Sequence, residues 1–224
     1  MVLTTAILPI RFSFESKHRL RNILNQTERQ AIVKAMLTDT IQAVRNATLI
    51  DQFVLLTPDE KFLVGSSPPI FEVHHSQITG LNEELTAYTE ILLQQKVQNV
   101  LIILPDLPLL TGTILDGLIS SGQRYQRPVI APDWKKSGTN VLFFALPTPI
   151  RFSFGYQSLQ KHIAGFNAAG LKPIIYHSIE TALDIDDEAA LQRFFLSAKT
   201  IKLWQATSTY RTFWVNEKRM GKAA

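Results

Sequence analysis

Short apolar runs of strand length alternate along this chain with segments of helical periodicity. Residues 5–9, 53–56 and 100–104 have the length and composition of buried strands, and the segments between them repeat apolar residues every three to four positions. Strands that alternate with helices usually pair in parallel, because a crossover helix returns the chain to the same end of the sheet. The sequence therefore predicts an α/β fold, a single-domain, mostly parallel mixed sheet flanked by helices on both faces.

The other predicted elements continue this alternation. The first helix should open at the capping-box sequence from Thr27 to Gln30, and beyond it Ile32, Met36 and Val44 share one apolar face. Further strands are predicted at 70–73, 128–131, 141–145 and 174–176, and further helices at 81–95, 113–120, 156–168 and 188–197.

Composition limits the classes of protein that this chain can be. Its 224 residues, 46% of them apolar, suffice for one domain with a sizeable core. The absence of cysteine excludes disulfides, thiolate nucleophiles and cysteine zinc sites. Without an apolar run of spanning length or a signal-peptide pattern, we expect a soluble, cytoplasmic protein that binds no membrane. Because the lysines and arginines behind the net charge of +4 are scattered, nucleic acid is not an expected partner.

The domain is assigned to residues 1–197, and residues 198–224 form an aromatic and basic C-terminal extension. Trp204, Tyr210, Phe213 and Trp214 lie among polar residues there. Such aromatic content is typical of a segment that packs on a surface rather than of a disordered tail. We expect the extension to pack on the domain or on a second subunit, and favour the domain.

Several familiar catalytic motifs are missing from the sequence. There is no Gly-x-Gly-x-x-Gly after the first strand, no Gly-x-x-x-x-Gly-Lys-Ser/Thr loop and no Gly-x-Ser-x-Gly elbow. These gaps argue against dehydrogenase, P-loop and α/β-hydrolase functions. None of the five histidines has a partner at metal-ligand spacing, so each is interpreted as structural or exposed.

Carboxylates follow two of the predicted strands. Asp106 comes directly after the apolar run 100–104, where ligands collect in open α/β sheets. Asp184 and Asp186 follow the last predicted strand, and alternation would turn both side chains to one side. Asp186 or Asp187 could equally cap the next helix. Two carboxylates from separate strand ends can hold one Mg²⁺, which leaves its other positions to water and phosphates.

Three further segments are suited to anions. The loop 137–140 offers a glycine, backbone N–H groups and hydroxyls, although an ordinary turn would also explain it. Gly155 and Ser158 stand at the start of a predicted helix, where free N–H groups attract phosphate, and capping by a serine is the alternative. Arg11, Lys17 and Arg19 crowd the loop after the first strand, where cations could clamp a triphosphate or simply be solvated.

The order of these pieces resembles the guanylyltransferases of coenzyme F(420) biosynthesis over about residues 7–191. The segments that carry the resemblance are, in chain order, Pro9-Ile10-Arg11, Ser16-Lys17-His18-Arg19-Leu20, Gly80-Leu81-Asn82, Asp106-Leu107-Pro108, Gly138-Thr139-Asn140, Phe154-Gly155 with Ser158, and Asp184-Ile185-Asp186.

The resemblance implies a nucleotidyltransferase fold of the GT-A type. It also implies a reaction in which GTP condenses with 2-phospho-L-lactate, phosphoenolpyruvate or 3-phospho-D-glycerate and releases pyrophosphate, with Mg²⁺ as cofactor. The implied roles are metal binding by Asp106 and Asp186, catalysis by Asp106, Lys17 and Arg19, acceptor binding by Thr139, Gly155 and Ser158, and nucleotide binding by Arg11, Lys17, Arg19, Gly80, Leu81 and Asn82.

Two other classes of function stay open at this point. One is another sugar or cofactor nucleotidyltransferase, and the other is a non-catalytic homologue that binds phosphoacids. The sequence does not choose the acceptor acid, because the three candidates differ by only a few atoms. It also leaves open whether Asp184 or Asp186 is the main second metal ligand, and a homodimer stands as a hypothesis from the resemblance.

Overall fold

A seven-stranded sheet organises the computed structural model, which describes residues 3–11, 17–58, 72–200 and 207–212. The strands are β1 (Thr4–Pro9), β2 (Gln52–Thr57), β3 (Glu72–His75), β4 (Asn99–Ile103), β5 (Val129–Pro132), β6 (Thr139–Ala145) and β7 (Ile174–Ile175). They lie in the order β3-β2-β1-β4-β6-β5-β7. Only β6 runs against its neighbours β4 and β5, because the link from β5 is too short for a crossover helix. The mostly parallel mixed sheet is confirmed.

Six helices are described beside the sheet. They are α1 (Gln26–Asn46), α2 (Leu81–Gln94), α3 (Gly112–Tyr125), α4 (Ser158–Ala168), α5 (Ile179–Ala182) and α6 (Glu188–Thr200), and a 3-10 turn spans His18–Leu20. The predicted start of α1 at Thr27 is wrong. Asn25 is the capping residue, and its side chain and that of Glu28 bond each other's backbone N–H groups. The helix predicted at 113–120 runs on to Tyr125, and α5 and the 3-10 turn were not predicted.

The core lies on both faces of the sheet. On one face, Ala6 and Leu8 of β1 pack in a cluster with side chains of α1 and α3. Ile7, between them in sequence, points to the opposite face and packs in a cluster with side chains of α2 and α4. Because both faces of β1 and β4 are buried, side chains that point to either face are mostly apolar. This explains why the two strands are largely continuous apolar runs in the sequence.

The strand directions bring distant parts of the chain to one edge of the sheet. The carboxyl ends of β1 and β4 share that edge, because the two strands are parallel. The start of β6 also lies there, since β6 is antiparallel to β4, with Ile103 opposite Val141. Beyond the last ladder pair, the Leu104 N–H donates to the Asn140 carbonyl at 2.9 Å. Residues after β4 and at the start of β6 therefore meet.

A third apolar cluster covers this edge from the side. It joins Leu20 of the 3-10 turn and Met36 of α1 to Leu183, Ile185 and Phe194 from the region of α5 and α6. The region of α5 and α6 thus packs beside the first helix. Among the described residues, no helix has the length and apolar character needed to cross a membrane.

Part of the C-terminal extension is described, at residues 207–212. The Asp39 carboxylate of α1 accepts hydrogen bonds from the backbone N–H groups of Ser208 (2.7 Å) and Thr209 (2.8 Å) and from the Thr209 hydroxyl (2.7 Å). The Tyr210 ring lies 5.9 Å from that of Phe195 in α6. Trp204, Phe213 and Trp214 lie outside the described residues, and α6 runs past the predicted boundary at 197.

Candidate active site

Three carboxylates meet at the edge where β4 ends. Asp106, Asp184 and Asp186 each place a carboxylate oxygen within 4.8 Å of the others. The Asp184 to Asp186 segment is held beside β4 because the Ile185 N–H donates to the Asp106 carbonyl at 3.4 Å. One oxygen of Asp106, Oδ1, is buried without a hydrogen-bond partner. An orphaned buried carboxylate oxygen is suited to a cation, so the cluster fits a divalent metal ion with oxygen ligands.

Asn140 at the start of β6 fixes the segment that carries Asp184. Its amide nitrogen donates to the carbonyl of Thr181 at 3.0 Å and lies 3.5 Å from Asp184 Oδ1. The neighbouring Asp187 turns away from the cluster and caps α6, because its Oδ1 accepts the Ala190 N–H at 2.9 Å. Of the two capping candidates in the sequence, Asp187 therefore takes the cap, and Asp186 stays with the carboxylates.

Lys17 supplies the positive charge in this cluster. Its ammonium group donates to Asp106 Oδ2 at 2.6 Å and also to Asp186 Oδ1. The residue stands before the 3-10 turn with a left-handed backbone, φ 56°. Three acids against one base leave an excess of negative charge at the end of the sheet.

Burial and charge shift the protonation equilibria of the cluster. Burial alone would lower the pKa of Lys17, but the charges and hydrogen bonds of Asp106 and Asp186 outweigh it and raise that pKa. Burial, followed by the repulsion of Asp106 and Asp186, raises the pKa of Asp184 to about 7. A bound divalent cation would oppose this rise by favouring the charged carboxylate.

A cavity of about 480 Å³ opens beside the carboxylates. Its lining includes the predicted site residues Arg19, Leu81, Thr139, Gly155, Ser158 and Asp186. No histidine is among the described residues that line it. The cavity therefore joins basic, hydroxyl and acidic groups that are far apart in sequence.

One part of the cavity wall is built from the start of β6 and the start of α4. The Thr139 N–H donates to Ser158 Oγ at 2.8 Å, which ties the two residues together. Gly155 lies just before α4 with φ 110°, a conformation that L side chains rarely adopt. The predicted acceptor-binding residues thus form one continuous wall.

The remaining predicted nucleotide-binding residues lie around the first turn of α2. Both ends of the Asn82 side-chain amide bond to the Phe154 backbone, at 2.7 and 3.2 Å, so this side chain braces the loop that carries Gly155. Arg11 pairs with buried Glu84 at 2.7 Å. The structure thus brings Arg11 to α2 rather than to Lys17, and neither Arg11 nor Gly80 is among the described residues lining the cavity.

Sequence reasoning missed several neighbours of the cavity. His162 of α4, treated as structural or exposed, lies 3.0 Å from Thr139 Oγ1. Arg193 of α6 lies over the exposed Trp134 ring at 4.3 Å, and its Nη1 is buried without a partner. Both Arg193 and Trp134 line the cavity. These contacts join residues from different elements, so no local pattern in the sequence predicts them.

Comparison with known proteins decides the family. A family model described as "Guanylyl transferase CofC like" matches residues 4–205. The chain belongs to the CofC-like guanylyl transferase family. As a CofC-like guanylyl transferase it is an enzyme of the nucleotidyltransferase class, as predicted.

Named relatives of this CofC-like chain fall into two groups. A phosphoenolpyruvate guanylyltransferase from Chloroflexus aggregans is 29% identical over 197 residues, covering 84% of this chain and 94% of that protein. A 2-phospho-L-lactate guanylyltransferase from Methanoregula boonei is 31% identical over 172 residues, covering 77% of this chain and 73% of that protein. The two groups differ in the acceptor acid that their names state.

Solved structures show the fold of this CofC-like chain. A Desulfovibrio desulfuricans G20 protein, provisionally named a nucleotide-diphospho-sugar transferase, superposes with a TM-score of 0.80 at 15% identity and covers 97% of this chain and 96% of its own. A nucleotidyl transferase from Methanothermobacter gives a TM-score of 0.58 at 13% identity, covering 88% and 99%. The predicted GT-A-like nucleotidyltransferase fold is confirmed.

Proposed function

We propose that this protein condenses GTP with a small phosphorylated acid to a guanosine-diphospho-acid and releases pyrophosphate, as a step of coenzyme F(420) biosynthesis in the cytoplasm. Phosphoenolpyruvate and 2-phospho-L-lactate are the acceptors that the names of the relatives suggest, and 3-phospho-D-glycerate completes the test set. The observation that carries the proposal is the cavity lined by Thr139, Ser158 and Asp186, because the Asp186 carboxylate clusters with those of Asp106 and Asp184.

The chemistry needs no general base. A phosphate oxygen of the acceptor is ionised at neutral pH, so it can attack the α-phosphorus of GTP without losing a proton first. The described cavity lining accordingly needs no histidine beside the reacting atoms. The protein's task is to place two highly charged substrates in line and to balance their charge.

The predicted site residues have separate roles in this proposal. Thr139, Gly155 and Ser158 hold the acceptor, while Lys17 and Arg19 neutralise the leaving pyrophosphate. The start of α2, with Gly80, Leu81, Asn82 and the nearby Arg11, lies toward the nucleoside.

The acidic cluster is the proposed Mg²⁺ site, held by Asp106 and Asp186 with Asp184 beside them. When bound there, Mg²⁺ would neutralise charge on phosphate oxygens and withdraw electrons from phosphorus. Lys17, which pairs with the same carboxylates in the structure, is then available to turn toward the phosphates.

Pyrophosphate release tests the proposal. Purified protein is given Mg²⁺, GTP or ATP, and one of the three acids, with glucose 1-phosphate as a sugar-phosphate control. We expect release that requires GTP and one of the acids and stops when EDTA is added. Release with the sugar phosphate alone would assign another nucleotidyltransferase activity, and no release with any acceptor would contradict the proposal.

A further inference from the structure

His162 lies behind the wall that the acceptor is proposed to contact. It is 1% exposed and packs edge-on against the Phe154 ring, with 4.9 Å between ring centroids. Its two ring nitrogens have different partners. Nε2 lies 3.0 Å from the backbone nitrogen of Ser153, and Nδ1 lies 3.0 Å from Thr139 Oγ1.

These partners fix the tautomer of the neutral ring. A backbone N–H can only donate, so Nε2 must be the nitrogen without a proton. The proton of the neutral imidazole is then on Nδ1, where it donates to Thr139 Oγ1. Burial, with a smaller contribution from the charge of Lys161, lowers the pKa of His162 to about 4, so the ring is neutral at physiological pH.

The tautomer restricts the direction of the Thr139 hydroxyl, and a backbone hydrogen bond restricts that of the Ser158 hydroxyl. Because Thr139 Oγ1 accepts from His162, its own proton must point elsewhere. Ser158 Oγ already accepts the Thr139 N–H, so its proton is also directed away. Neither hydroxyl donates its proton to another of the described residues, and both Thr139 and Ser158 line the cavity.

We propose that His162 is a positioning residue that orients the Thr139 hydroxyl, so that it and the neighbouring Ser158 hydroxyl form a pair of donors to an anionic oxygen of the acceptor. The identity of that anion, a phosphate or carboxylate of the phosphoacid, rests on the proposed function. The orientation of the hydroxyls does not.

Two hydroxyl donors distinguish ligands by whether the ligand atom accepts or donates a hydrogen bond. Phosphate and carboxylate oxygens accept without donating, so they match two fixed donors. A ligand that presents a hydroxyl or ammonium donor at this position would leave buried protons unmatched, which is costly. The two hydroxyl donors therefore favour binding of the ionised acid over neutral analogues of the same shape.

Two substitutions of His162 test the hydrogen bonds of its two ring nitrogens separately. His162→Asn keeps an amide donor near the position of Nδ1 and can still bond Thr139. His162→Gln places an amide oxygen near the position of Nε2, where it can accept the Ser153 N–H but leaves Thr139 without its donor. His177→Gln is the matched control, because His177 is exposed and outside the cavity lining.

Kinetics with the preferred acid give the first readout. We expect His162→Gln to raise KM for the acid about tenfold, the loss of one oriented hydrogen bond, with kcat within about threefold of wild type. His162→Asn should recover most of that loss, and His177→Gln should match wild type. Equal KM values for the Gln variant and wild type, or a loss confined to kcat, would overturn the proposal.

Nitrogen NMR of the histidine side chains gives a second readout that needs neither turnover nor a folded variant. In wild type we expect the His162 ring to show a protonated Nδ1 and an unprotonated Nε2, with and without phosphoenolpyruvate. Protonation at Nε2 would overturn the proposal. If the tautomer is as expected and phosphoenolpyruvate binds by calorimetry, but no pyrophosphate forms with GTP, the proposed function fails and the positioning role stands.

Discussion

The Lys17 ammonium group lies 2.6 Å from Asp106 Oδ2 and also bonds to Asp186 Oδ1, so a single lysine bridges carboxylates from two distant segments. In the absence of other cations, this lysine is the counter-ion of a cluster that also holds Asp184. A divalent metal ion bound by the cluster would therefore compete with Lys17 for the same oxygens. In the proposed reaction the lysine would leave the carboxylates to the metal and move to the phosphates.

Lys17→Met tests this competition. Removal of the ammonium leaves the carboxylates of Asp106 and Asp186 without their paired cation, so we expect Mn²⁺ or Mg²⁺ to bind the variant about tenfold more tightly or better, while guanylyl transfer falls. Calorimetric titration with each metal measures the affinity. Lys34→Met, at an exposed position of α1, is the control and should bind metal as wild type does. Weaker metal binding by the Lys17 variant would contradict the competition.

Asp106→Asn tests the assignment of the metal ligand. The substitution keeps the size of the side chain but removes its charge, so we expect a loss of about a hundredfold or more in turnover with the fold intact. Pyrophosphate release and circular dichroism measure the two effects. Glu90→Gln, which neutralises an exposed acid on α2, should leave both unchanged. Near-normal turnover in the Asp106 variant would remove this carboxylate from the metal site.

The position of Asp106 could be predicted from the sequence because strand length and burial are local signals. The apolar run that ends at Ile103 is β4, and whatever follows such a run lies at the ligand-binding edge. The predicted cap of α1, Thr27, lies two residues after the observed cap, Asn25. The prediction was wrong because Asn25 with Glu28 and Thr27 with Gln30 both fit the spacing of a capping box. Only the structure shows which one makes the bonds.

His162 predicts a distinct dependence of stability on pH. Its pKa in the folded protein, about 4, lies below the ordinary value of 6.5. Between these values the unfolded chain binds a proton that the folded protein does not, so stability is lost as pH falls from about 6.5 toward 4. The loss assigned to this residue reaches roughly 3 kcal/mol at the acid end.

Urea unfolding of wild type and His162→Gln at several pH values measures this loss. The variant lacks the titrating group, so we expect the difference in unfolding free energy between the two proteins to shrink as pH falls through the window. His177→Gln should track wild type throughout. A difference that stays constant from neutral pH to about pH 4.5 would show that the folded protein protonates His162 as easily as the unfolded chain does.

Asp39→Ala tests the attachment of residues 207–212 to α1. The substitution removes three hydrogen bonds to the segment, so we expect faster amide exchange at Ser208 and Thr209 and a loss of about 1–3 kcal/mol in the stability of that contact. Hydrogen exchange followed by mass spectrometry locates the change. Thr38→Ala, one residue earlier in the same helix, should leave exchange in the segment unaltered. Unchanged protection in the Asp39 variant would place the attachment elsewhere.

The contacts that sequence analysis missed are long-range ones between ordinary residues. A histidine within a helix and a threonine at the start of a strand carry no shared motif, yet the fold places His162 against Thr139. The pairing of Arg11 with Glu84 likewise depends on where α2 lies against the end of β1. Local patterns locate elements, whereas partners such as these follow only from packing.

The measurement that tests the central claim most directly is phosphorus NMR of the protein with Mg²⁺, GTP and either phosphoenolpyruvate or 2-phospho-L-lactate. If the α-phosphorus of GTP is transferred to the acceptor phosphate, a coupled pair of diphosphate-diester signals should grow at the same rate as pyrophosphate. If GTP and the acid persist unchanged with both acids and with 3-phospho-D-glycerate, or pyrophosphate forms without the coupled pair, the protein does not carry out the proposed guanylyl transfer.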